Sequence, residues 1–226
     1  MPSPEPKQVL KKIRQSGIIP VFYHEDPEIC TGVIQACYEG GLRVFEFTNG
    51  GPRAEEMYIM LKKQAQRLFP EMYLGAGAIM DAGAAQTYIR YNTDFIVCPV
   101  TDPETAAACQ QAGVLWIPGC ATPTEVSLAA KHAGRFIKLF PGDLISPLFL
   151  KSIRPYFPLL QFMPSDGIEP SATAIIPWLE AGASALSMGS KMITPEMLAI
   201  RDFSFLKERV KRLVKTIRQW RQQSIA

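Results

Sequence analysis

Histidine is nearly absent from this chain: His24 and His132 are the only two among 226 residues. That scarcity argues against a histidine-rich metal site. The five cysteines, Cys30, Cys37, Cys98, Cys109 and Cys120, do not compensate, because they show no Cys-x-x-Cys pair and no metal-ligand spacing. Cys98 and Cys120 stand in or just after apolar runs, where cysteine packs as a small hydrophobe. An apolar signal core is missing behind Met1-Pro2-Ser3-Pro4-Glu5-Pro6, and no apolar run is long enough to cross a bilayer. A strong charge of one sign is missing too. The formal net charge is +3, with the basic residues dispersed outside Lys207–Arg221, so no nucleic-acid footprint stands out. These absences lead to the expectation of a reduced, cytoplasmic protein with no metal, membrane or nucleic-acid partner.

What the sequence does contain is an alternation of strand and helix from end to end. Its 47% hydrophobic and 20% charged residues are ordinary for a soluble globular protein. Buried strands are predicted at Gly17–Tyr23, Leu42–Phe47, Met72–Ala76, Phe95–Cys98, Val114–Ile117, Phe136–Leu139, Leu160–Met163 and Ala185–Met188. Helical periodicity covers Lys7–Gln15, Pro27–Tyr38, Arg53–Leu68, Ala82–Tyr91, Pro103–Gln111 and Ser171–Ala181. Asp26-Pro27, Asp102-Pro103 and Thr122-Pro123-Thr124-Glu125 carry helix-start signals. Gly40-Gly41, Gly113, Gly134 and Gly182 follow helices as C-terminal caps. Eight strands alternating with helices in a chain of this length predict one (β/α)₈ barrel over residues 1–226. An extra N-terminal helix element occupies 1–16 and a basic outer helix 202–226. A doubly wound open sheet is the alternative, but no Gly-x-Gly-x-x-Gly turn follows the first strand.

A barrel of this kind places its chemistry at the C-terminal ends of its strands. The sixth strand, Arg135-Phe136-Ile137-Lys138-Leu139-Phe140, ends on a lysine among apolar residues. Held there with a lowered pKa, its amine is a nucleophile for a carbonyl carbon; the bland reading is a buried stem with its head snorkelling to solvent. Glu46, between Phe45 and Phe47 at the end of the second strand, is costly to bury without a partner. Desolvation would raise its pKa towards the range useful for proton transfer, whereas a structural pairing with an arginine is the alternative. Gly75-Ala76-Gly77, Cys98-Pro99 and Pro118-Gly119-Cys120 end other strands with small residues. The loops after strands seven and eight offer Gly167, Gly189 and Ser190 as a phosphate cradle.

In this order, the strand-end motifs resemble the 2-keto-3-deoxy-6-phosphogluconate / 4-hydroxy-2-oxoglutarate aldolases, class I enzymes on a (β/α)₈ barrel. The resemblance runs from about Ile18 to Ile193. It rests on Gly17-Ile18-Ile19-Pro20-Val21, Gly41-Leu42-Arg43-Val44-Phe45-Glu46-Phe47-Thr48, Gly75-Ala76-Gly77, Val97-Cys98-Pro99, Ile117-Pro118-Gly119, Phe136-Ile137-Lys138-Leu139-Phe140-Pro141, Met163-Pro164-Ser165-Asp166-Gly167-Ile168 and Met188-Gly189-Ser190. It implies Lys138 as the Schiff-base lysine and Glu46 as the general acid/base. Pro99 and Phe140 are implied as pocket walls, and Ser165 as a substrate contact. It further implies cleavage of a 2-keto-3-deoxy sugar acid to pyruvate and an aldehyde, no cofactor, and a homotrimer. Leu148-Phe149-Leu150 is apolar enough for either core or interface.

Departures from the family pattern all touch substrate recognition. Gly50 stands where the family has an arginine that clamps the pyruvate carboxylate, leaving Arg53 as a candidate to reach back from a reshaped loop. Ala78 replaces a threonine that contacts the same carboxylate. Ser165 replaces a threonine, and Asp166 a glycine of the phosphate cradle. An unphosphorylated substrate fits these changes. The competing functions are an imine-free sugar-phosphate isomerase or epimerase using Glu46 as base, and a barrel that binds a 2-oxo acid or sugar acid without turnover.

Overall fold

A computed structural model describes residues 4–223; residues 1–3 and 224–226, the outer ends of the two terminal elements expected, lie outside the described residues. The chain opens with α1 (Pro6–Ser16) and continues as β1 (Ile18–Phe22), α2 (Pro27–Glu39), β2 (Val44–Thr48), α3 (Ala54–Leu68), β3 (Tyr73–Gly77), α4 (Ala82–Arg90) and β4 (Phe95–Val97). The second half comprises α5 (Pro103–Ala112), β5 (Leu115–Ile117), β6 (Gly119–Cys120), α6 (Pro123–Lys131), β7 (Phe136–Leu139), α7 (Pro147–Ile153), β8 (Gln161–Pro164), α8 (Ala172–Glu180), β9 (Leu186–Met188), α9 (Pro195–Ile200) and α10 (Ser204–Gln223).

All strand pairings are parallel, in the order β5-β4-β3-β2-β1-β9 and β6-β7-β8. Two joins close these into a barrel. β5 and β6 are one strand position interrupted at Pro118, which lacks the N–H that a ladder needs. The predicted fifth strand ended at Ile117; its backbone resumes pairing after the proline, with Gly119 opposite Lys138. At the other join, Ser165 bridges Ser187 and the Ser184 N–H donates to the Phe162 carbonyl at 2.8 Å.

Side-chain alternation divides the core in two. Outward residues such as Phe45, Phe47, Leu74, Ile96 and Leu186 pack under the helices. Inward residues, among them Ile19, Val44, Phe95, Phe136 and Met163, fill the barrel together with Val9 and Ile13 of α1. The N-terminal helix therefore plugs the bottom of the barrel and leaves the C-terminal mouth open. Each aliphatic side chain buried there stabilises the fold by about 1.5–3 kcal/mol. α10 lies along α2 and α8, burying Leu206, Val210, Leu213 and Ile217, while Arg221 donates to the Arg14 and Ser184 carbonyls at 2.6 and 3.1 Å.

Local start signals act as the sequence predicts. Asp26 accepts from the Glu28 and Ile29 amides, Asp102 from Thr105, and Thr122 with Glu125 forms a complete capping box. At the end of α6 the left-handed residue is Ala133 rather than Gly134. Gly134 is still required, because a Cβ there would press on the Ala129 carbonyl oxygen at 2.8 Å. Two short helices, α7 and α9, arise where the sequence periodicity marks none. Ser146 caps α7 in front of Pro147, but seven residues are too few to display a helical stripe.

Candidate active site

Lys138 and Glu46 reach the barrel interior from β7 and β2, which stand opposite each other around the ring. Both are nearly inaccessible, at 6% and 1% exposure. The lysine head lies over the Phe140 ring, 4.8 Å from its centroid, where a cation gains from the ring face. The Glu46 carboxylate is buried with Oε2 unpartnered. Burial pushes its pKa above the ordinary 4.5, and the field of Lys138 opposes that rise without cancelling it. No arginine pairs with Glu46 among the described residues.

Glycines make the room for this pair. A Cβ on Gly77 would overlap the Glu46 carboxylate, and one on Gly119 would overlap the Pro99 backbone. Phe140 and Ser165 follow β7 and β8 directly and Pro99 lies two residues after β4, so they ring the mouth above the lysine and the glutamate. Gly167 and Gly189 stand in the loops after β8 and β9, with Ser190 exposed beside the latter. The sequence reading passed over Ser187, whose hydroxyl is buried without a partner on the inward face of β9. Its signal was the alternation Leu186-Ser187-Met188, in which the two flanking residues pack outward.

Arg53 does not join this group. Its guanidinium makes two bonds to Glu56, at 2.9 and 3.0 Å, and a third to the Glu25 carbonyl at 3.3 Å. Cys98 contributes no second nucleophile: burial pushes its thiol up to about 12, with a smaller opposing effect from Trp116 and Lys138, so the reactive thiolate is scarce at neutral pH. Among the described residues no cluster of histidine, cysteine and carboxylate side chains is arranged to hold a metal ion.

Lys138 and Glu46 thus set a buried amine and a buried, protonatable carboxylate on opposite sides of a closed parallel barrel. The KDPG and KHG aldolase family model matches residues 9–209. The chain belongs to the KDPG/KHG aldolase family. These aldolases are carbon–carbon lyases. A 2-dehydro-3-deoxy-phosphogluconate aldolase of Treponema pallidum is 28% identical over 199 residues, which are 87% of this chain and 90% of the relative. Among solved structures, the fold is shared with a KDPG aldolase of Legionella pneumophila holding pyruvate as a covalent carbinolamine. That match has a TM-score of 0.82 and 23% identity, over 93% of this chain and 98% of that one. A Zymomonas mobilis 2-keto-3-deoxy-6-phosphogluconate aldolase, solved with 3-phosphoglycerate, matches at a TM-score of 0.75 and 23% identity, over 93% and 94% of the two chains. As in these family members, the fold of this aldolase is the α/β barrel that the strand–helix alternation predicts. No helix among the described residues is long and apolar enough to cross a membrane.

Proposed function

We propose that the protein is a class I aldolase that cleaves a 2-keto-3-deoxy sugar acid to pyruvate and an aldehyde through an imine on Lys138. One observation carries this reading: a buried primary amine and a buried, unpartnered carboxylate share the open end of one barrel. Neutral Lys138 attacks the keto carbon, and a proton shift from nitrogen to oxygen gives the carbinolamine. Protonated Glu46 gives its proton to the carbinolamine oxygen, water leaves, and a protonated imine remains. Ionised Glu46 then takes the proton of the C4 hydroxyl. The C3–C4 pair flows into the imine, releasing the aldehyde and leaving an enamine. Glu46 returns that proton to C3, water adds to the protonated pyruvyl imine, and the proton released as free pyruvate and the neutral lysine amine separate goes back to Glu46. No cofactor takes part in these steps.

Pro99 and Phe140 wall the 2-oxo acid, and the Ser165 and Ser187 hydroxyls supply donors for its carboxylate in the absence of an arginine at Gly50. Arg53, bound to Glu56, takes no part. That missing cation favours one second reading, a diverged barrel that holds a 2-oxo acid or sugar acid without turnover. Pyruvate release from 2-keto-3-deoxy acids, followed by coupled reduction to lactate, separates the two. Turnover abolished by K138M supports the aldolase, and saturable binding without turnover supports the second reading.

The same proposal includes a cytoplasmic homotrimer. Leu144, Leu148, Tyr156 and Leu159, each at least 70% exposed, form an apolar face around α7 suited to a partner copy. Light scattering measures the mass directly, and a monomer at micromolar concentration overturns the assembly.

A further inference from the structure

Resting on the aldolase reading, we propose that the aldehyde half of the substrate is an uncharged, hydroxylated chain and that Asp166 excludes its phosphate ester. Relatives of this chain are named for phosphorylated substrates, and barrels commonly hold phosphate with the loops after their last two strand positions. Those loops are here the segments after β8 and β9. A phosphate site needs free N–H donors or an unpaired cation.

Three groups of that kind are occupied by an oxygen of the chain itself. Asp166 follows Ser165 in the left-handed region, at φ 80°. Its Oδ1 accepts the Gly167 N–H at 2.9 Å. Ser171 Oγ accepts from the Ala174 amide at the start of α8, at 3.3 Å. The Lys191 ammonium after β9 is bound to Glu169 Oε1 at 2.9 Å.

The surrounding charge points the same way. Asp143, from the loop after β7, packs so closely on Gly167 that a Cβ at Gly167 would overlap its own. The Gly142 N–H donates to the Ser165 carbonyl at 2.7 Å, fastening that loop to the end of β8. Asp143 therefore joins Asp166 beside Gly167, and Glu169, two residues further on, pairs with Lys191. A phosphate dianion entering beside Asp166 meets like charge. A hydroxyl instead donates to these carboxylates, which are strong acceptors.

The test compares D-glyceraldehyde with D-glyceraldehyde 3-phosphate as acceptors for pyruvate, in the wild-type protein and in D166G. Glycine suits a φ of 80°, so the variant keeps the fold. The expected wild-type kcat/KM is about tenfold or more higher for the free aldehyde, and D166G raises the value for the ester selectively. A wild-type preference for the ester overturns the proposal. Titration with glycerol 3-phosphate, followed calorimetrically, reads the same site without catalysis. No saturable binding to wild type with binding gained in D166G supports the proposal, and equal binding to both overturns it. Trapping pyruvate on Lys138 involves no aldehyde, so loss of the aldolase reading and loss of this inference are told apart.

Discussion

Glu46 and Lys138 oppose each other across the barrel, close enough for the lysine's field to act on the carboxyl, yet no ion pair joins them. A direct pair would consume both groups. The gap instead leaves the amine free to attack a carbonyl and the carboxyl free to move protons.

Replacing the lysine removes the nucleophile. K138M is expected to lower pyruvate release by about 10³-fold or more while keeping the fold, since methionine fills the same apolar channel. Far-ultraviolet circular dichroism checks the fold and a steady-state assay checks the rate. Turnover within tenfold of wild type would point to imine-free chemistry.

Replacing the glutamate tests both chemistry and stability. Burial holds the Glu46 carboxyl above its ordinary 4.5, so above that pH the folded state keeps a proton that the unfolded chain has released. Stability from this group is therefore greatest below about pH 4.5 and falls as pH rises towards the folded value. E46Q should abolish this fall, gaining about 1–3 kcal/mol over wild type at pH 8, with little gain at pH 4. Activity should drop about 10²–10⁴-fold. Urea denaturation of both proteins at the two pH values measures the difference, and parallel stabilities would show Glu46 to be solvated.

Gly77 tests the packing that aims the carboxylate. Its missing Cβ is the space in which Glu46 lies, so G77A must displace the carboxylate. We expect kcat to fall about ten- to hundredfold, with the imine still formed. Trapping and steady-state kinetics on one preparation distinguish this from loss of Lys138 function.

At the opposite end of the barrel, Lys62 and Asp94 form a buried ion pair at 2.5 Å, with Asp94 also accepting the Leu74 N–H at 2.7 Å. K62M strands the aspartate and should destabilise the protein by about 3–5 kcal/mol. Because the pair lies before β4 rather than after it, the pyruvate adduct should form normally. Denaturant midpoints and adduct yield together make the check.

These relationships were unequally visible in the sequence. Lys138 and Glu46 stood out because a charge inside an apolar strand demands an explanation, and alternation alone puts each on the face opposite its apolar neighbours. The strand count was legible for the same reason, and Pro118 altered only how the fifth strand is written. Ser187 was legible only in part: the alternation Leu186-Ser187-Met188 sets it opposite its apolar neighbours, but a serine is equally at home on a surface, and the register of β9 against β1 and β8 is what turns it inward. Arg53 is a different case, left open between a site role and a solvated arginine. A long exposed side chain is aimed by its nearest carboxylate, here Glu56, and sequence distance carries no information about that choice. Asp166 was readable as a departure, but its bond to the Gly167 amide required the backbone.

Borohydride reduction in the presence of pyruvate, followed by intact mass and peptide mapping, tests the central claim most directly. The account predicts one reduced pyruvyl adduct per chain, on the peptide carrying Lys138 and absent from K138M. A folded protein that yields no adduct at saturating pyruvate, or an adduct on another lysine, would contradict it.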